Sequence, residues 1–82
     1  MFVKLQFTES EFVRVNLGIV SLVFEENEGL CFKFSHRLGL YNSELADEDN
    51  PGYASYYVED DSILTVKKSH PQYQKIKEWM DQ

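Results

Sequence analysis

Cysteine occurs once in these 82 residues, tryptophan once, proline twice and glycine four times. A lone cysteine, Cys31, excludes an internal disulfide framework and points to a reducing compartment. The glycines, at 18, 29, 39 and 52, lack the spacing of a phosphate-cradling loop. Long apolar runs are missing too. The run GIVSLVF at 18–24 has seven residues, far short of the ~20 needed to cross a bilayer. Glu9, Glu11 and Arg14 precede it and no small-residue cleavage site follows, so a secretory signal is not expected. Together these absences give the expectation of a cytoplasmic protein without a membrane span.

Positive charge is missing from the middle of the chain. Residues 38–66 carry Glu44, Asp47, Glu48, Asp49, Glu59, Asp60 and Asp61 and no lysine or arginine. The remaining residues hold seven acids against all eight bases, so the net charge of −6 belongs to one segment. Tyr41, Tyr53, Tyr56 and Tyr57, four of the five tyrosines, are interleaved with these acids.

What is present suffices for a folded chain. A hydrophobic fraction of 43%, with six Phe and five Tyr, argues against disorder. The length fits a single domain, 1–82, because each half alone would be too small to bury a core. A core of this size supplies only about 3–5 kcal/mol of net stability, which a homodimer or a bound partner would supplement.

The strand period appears at once in FVKLQF, with Val3, Leu5 and Phe7 on one side and Phe2, Lys4 and Gln6 on the other. Thr8 and Glu11 then have the spacing of a capping box, and Phe7 and Phe12 that of a hydrophobic staple. These signals predict a short helix over 9–16. Val13, Val15 and Gly18 are poor helix formers and leave a strand from 11 as the rival. The segment 18–35 is expected to form a hairpin, with Val20, Leu22, Phe24, Leu30, Phe32 and Phe34 facing the core and EENEG as a four- or five-residue loop. Residues 36–52 read as a long loop with at most one helical turn near Ser43. A second hairpin is expected over 53–68, turning near Asp60 and Asp61, with Tyr56 and Val58 on one face and Tyr53, Ser55 and Tyr57 on the other; Leu64 and Val66 join the core. HPQYQKIKEWMDQ predicts a helix over 71–81, with Pro71 at its first position and Tyr73, Ile76 and Met80 as its apolar stripe. The fold class is therefore α+β: an antiparallel sheet of two hairpins with a C-terminal helix on one face.

Chemistry is hard to find in this pattern. Cys31 has no spaced histidine partner, and His36 and His70 belong to no nucleophile–base–orienter set; His70 is better placed to cap the last helix. Read as a calcium loop from Asp47, DEDNPG puts Pro51 at the fifth position and Val58 where the bidentate glutamate belongs, so the match fails. No catalytic residue, cofactor or metal site is expected. Lys67, Lys68, Lys75 and Lys77 form too small a basic patch to offset the acidic segment, so direct nucleic-acid binding is not expected either.

The acidic segment carries the functional expectation. Uncompensated carboxylates repel one another and favour a cationic partner, and tyrosines supply contact area at low entropic cost. Glu44, Asp47, Glu48, Asp49, Tyr53, Tyr57, Glu59, Asp60 and Asp61 are the expected contact residues. The expected partner is a protein with a basic surface, such as a nucleic-acid-binding groove. Small acidic inhibitors with this type of surface include nucleic-acid mimics and phage-encoded antagonists of host nucleases and defence complexes. The alternative is a structural or accessory subunit, or a homodimer joined through the apolar hairpin 18–35, with the acidic segment serving only as a solvated loop.

Overall fold

A computed structural model describes residues 1–6, 11–40 and 55–82. Strands β1 (Phe2–Gln6) and β2 (Phe12–Asn16) pair antiparallel as a two-stranded sheet, and a single 3-10 turn over Leu17–Ile19 follows. A second, four-stranded antiparallel sheet contains β3 (Leu22–Glu25), β4 (Gly29–Lys33), β5 (Tyr56–Glu59) and β6 (Ile63–Lys67), in the order β3-β4-β6-β5. Helix α1 (Tyr73–Met80) ends the chain. The α+β class expected from the sequence is the observed one.

The short helix expected over 9–16 is not formed where the chain is described: 12–16 is strand β2, the rival reading. Thr8 and Phe7, which carried the helix signal, lie outside the described residues. β1 explains the outcome. Val3 pairs with Val15 and Leu5 with Val13, so the β-branched residues that disfavour a helix supply the inner face of a two-stranded sheet. Val3, Leu5, Val15 and Leu17 are buried in the common core, while Phe2 and Phe12 point outward.

The first hairpin forms as expected, but β3 presents its other face. Glu26 and Gly29 exchange backbone hydrogen bonds of 2.8 and 3.3 Å, so the loop contains two residues rather than four or five. This tight turn sets Val23 opposite Phe32 and Phe24 opposite Cys31. A one-residue change of register reverses a strand, so Val23 packs against the core while Leu22 and Phe24 stand 52% and 50% exposed. Leu22 and Phe24 are therefore corrected from core to surface. Leu30, Phe32, Phe34, Leu64, Val66 and Ile76 are buried as expected, and Val20 and Met80 pack half-buried at the margin.

Gly29 is required by a close approach: a Cβ there would press on the Val66 carbonyl and come within 2.8 Å of Lys67 Cα. Helix α1 starts two residues later than Pro71, which sits in the preceding turn. The helix buries Ile76 and is tied to β3 by Lys77 Nζ and Glu25 Oε1 at 2.6 Å. The Lys77 ammonium holds the Glu25 carboxyl below its ordinary value, and Glu25 raises Lys77 in return.

Candidate functional site

Of the expected contact residues, Tyr57, Glu59, Asp60 and Asp61 are described; Glu44, Asp47, Glu48, Asp49 and Tyr53 lie outside the described residues. Ser62 N–H donates to the Glu59 carbonyl at 3.2 Å and closes the β5–β6 turn. Asp60 and Asp61 both adopt left-handed backbone, with φ of 51° and 56°. Glycine enters this region freely and aspartate at a small cost.

The two aspartates then diverge. Asp60 is exposed, as is Glu59. Asp61 is committed internally: Oδ1 accepts from Leu40 N–H at 2.7 Å, Oδ2 from Gly39 N–H at 3.0 Å, and its carbonyl from Leu38 N–H at 2.7 Å. Asp61 thus anchors residues 38–40 beside the acidic turn. Tyr57 is half-buried, and Lys67 Nζ lies 5.7 Å from its ring centroid.

A second feature was not anticipated. The outer face of the β1–β2 sheet and the segment 69–72 enclose an open groove of about 630 Å³. Phe2, Lys4, Phe12 and Arg14 line it on the sheet side, with Ser69, His70 and Gln72 on the other. Lys4 pairs directly with Arg14 across the strands, and Lys4 Nζ sits 4.2 Å from the Phe12 ring centroid. Reading 9–16 as a helix separated Arg14 and Phe12 from Lys4 and Phe2. The usable signal was the alternation of Phe12 and Arg14 with Val13 and Val15.

The groove's far wall is fixed to β1 by side chains. Gln72 Oε1 accepts from Lys4 N–H at 2.6 Å, and Gln72 Nε2 donates to the Phe2 carbonyl at 3.3 Å. Gln72 N–H donates to His70 Nδ1 at 3.0 Å, which leaves Nε2 to donate to the Lys4 carbonyl at 2.9 Å. Burial lowers the His70 pKa, against a smaller raising effect from the Lys4 carbonyl. His70 does not cap the helix as expected: Gln72 is the N-cap, with no side-chain cap hydrogen bond, and His70 sits in the preceding turn, where its carbonyl accepts from Tyr73 N–H at 3.0 Å. With Nδ1 and Nε2 both engaged on the backbone, this imidazole is a structural group.

Cys31 is buried opposite Phe24 and Thr65. Among the described residues no group of three or more His, Cys, Asp or Glu could hold a metal ion. Among them, too, no helix is long and apolar enough to cross a membrane. No family model matches this chain, and neither a curated protein nor a solved structure matches it.

Proposed function

We propose that this chain is a non-enzymatic protein-binding module whose acidic, tyrosine-rich surface occupies a cationic, nucleic-acid-binding site on a partner protein. The observation that carries the reading is the β5–β6 turn. Two successive aspartates occupy backbone that glycine or asparagine fills more readily, and Glu59 and Asp60 hold their carboxylates in solvent there. Asp61 holds Gly39 and Leu40 beside them. Clustered carboxylates on a short, hydrogen-bonded turn suit a cationic groove, which removes their mutual repulsion and speeds encounter. An inhibitor acting in this way would compete with nucleic acid for its partner. The test is capture from the native host's lysate, followed by elution with heparin. A cationic nucleic-acid-binding protein released by the polyanion supports the reading; a partner that heparin does not release opposes it.

The apolar edge favours a second reading. Ile19, Leu22 and Phe24 are each about half exposed on or beside β3, an outer strand of its sheet. Such a strand suits edge pairing with a second copy. Concentration-dependent sedimentation, abolished by Phe24→Ser and unaffected by salt, would favour this homodimer or accessory-subunit role.

A further inference from the structure

We propose that the groove between β1–β2 and residues 69–72 is a binding site for a small ligand that joins an anionic group to a planar ring, the chemistry of a nucleoside monophosphate. The site is separate from the acidic turn: Ser55, which lines the groove, immediately precedes β5, and Glu59 ends that strand.

Three observations converge on this ligand class. The first is charge. In a chain of net charge −6, the described lining residues include Lys4 and Arg14 and no carboxylate. These two face each other across an antiparallel pair, which places their Cβ atoms roughly 5 Å apart. An ammonium and a guanidinium at that spacing can share one phosphate, with the planar fork of Arg14 giving it direction.

The second is the aromatic surface. Phe2 is 56% exposed and Phe12 50%. In the ladder, Phe2 stands one side-chain step from Lys4 on the same face, and Phe12 opposes Gln6 one step the other way; each step is about 7 Å. Lys4 already lies over the Phe12 ring, so Phe2 is the platform left for a planar ring. Base–aromatic stacking of this kind is how sequence-tolerant sites hold nucleobases.

The third is shape and rigidity. A groove of about 630 Å³ lies within the ordinary range of small-ligand sites, about 300–1,000 Å³. Its far wall is already bonded to β1 through Gln72 and His70, so little ordering accompanies binding. Gln6 and Ser69 add hydrogen-bonding groups to the lining for a sugar or base edge.

The test is titration of the labelled protein with adenosine 5′-monophosphate at low salt, followed by amide chemical shifts. Saturable shifts confined to Phe2–Gln6, Phe12–Asn16, Ser55 and Ser69–Gln72 are expected. Adenosine alone and inorganic phosphate alone should each bind at least about tenfold more weakly than the monophosphate. Arg14→Gln should weaken the monophosphate about tenfold, and Phe2→Leu should weaken it while leaving inorganic phosphate unchanged. Absence of saturable shifts in the wild-type protein overturns the proposal, as do shifts outside these segments or equal binding of phosphate alone. Preference for a deoxythymidine oligonucleotide or an acidic peptide over the monophosphate would also overturn it, in favour of a macromolecular occupant. None of these outcomes depends on the acidic turn having a partner.

Discussion

Gln72 lies against Lys4 as one residue of a neighbouring strand would, accepting its N–H at 2.6 Å while donating to the Phe2 carbonyl two residues back at 3.3 Å. His70 takes the Lys4 carbonyl and Tyr56 Oη donates to the Gln6 carbonyl at 2.8 Å. Side chains from two distant segments thus satisfy the outer edge of β1, which would otherwise invite pairing with another chain. Gln72→Ala should cost about 1 kcal/mol and speed hydrogen exchange at the Lys4 amide. Gln72→Glu should keep the Lys4 bond and lose the Phe2 bond. Equal exchange at Lys4 in wild type and Gln72→Ala would show that the amide is not a strand substitute.

His70 gives the protein a pH dependence with a definite sign. Its folded-state pKa lies below the ordinary 6.5 because burial disfavours the charged ring. The unfolded chain therefore binds the proton first as the pH falls. His70's contribution is complete above pH 6.5 and is lost as the pH drops from there through the folded value. Between about pH 7.5 and 5 the thermal midpoint should fall more steeply in wild type than in His70→Gln. Identical slopes would mean that His70 does not titrate differently on folding.

Gly29→Ala should be among the most damaging single-methyl changes available. The added carbon meets backbone, at Val66 and Lys67, rather than a side chain that can move. Either β4 and β6 separate locally or the domain fails to fold. Measurement is by chemical denaturation; an unchanged midpoint would place Gly29 farther from β6 than described.

Phe32→Ala and Phe24→Ala test which face of the first hairpin is inside. Phe32 is fully buried and should cost about 3–5 kcal/mol, enough to unfold a domain this small. Phe24 is half exposed, and its loss should shift stability by no more than about 1 kcal/mol. The reverse order would restore the face expected from the sequence.

That pair also shows where sequence reading was strong and where it was not. Residues 22–24 are continuously apolar, so alternation located a strand but could not choose its face; the two-residue turn at Asn27–Glu28 chose it. The four strands of the larger sheet were legible as short runs of apolar, β-branched and aromatic residues bounded by turn residues, and Ile76 by its helical spacing from Tyr73 and Met80. β2 was obscured by a capping-box spacing at Thr8 and Glu11 that competed with the β-branched pattern of Val13 and Val15. The groove was hidden for the same reason, since Lys4 and Arg14 meet only through strand pairing. Likewise, Asp60 and Asp61 look equivalent in sequence, and only the fold separates an exposed carboxylate from one that holds Gly39 and Leu40.

The Asp61 role has its own test. Asp61→Ala should destabilise the protein by about 1–3 kcal/mol, since two amide donors lose a charged acceptor. Asp60→Gly should leave stability unchanged or raise it, because glycine relieves the left-handed backbone. Circular dichroism melts of the two variants decide the matter. Equal effects would mean that the two positions are not distinguished as described.

The most direct test of the central claim is the salt dependence of association with a purified partner, compared between wild type and two amide variants. One carries Asp47→Asn, Glu48→Gln and Asp49→Asn; the other carries Glu59→Gln and Asp60→Asn. Wild-type association should slow steeply from low to moderate salt. Both amide variants should bind more weakly and with a flatter salt response while keeping the wild-type melt, and nucleic acid should displace all three. A partner bound with the same affinity by wild type and both variants, and indifferent to salt, would contradict the account and move the interaction surface to the apolar edge at Leu22 and Phe24.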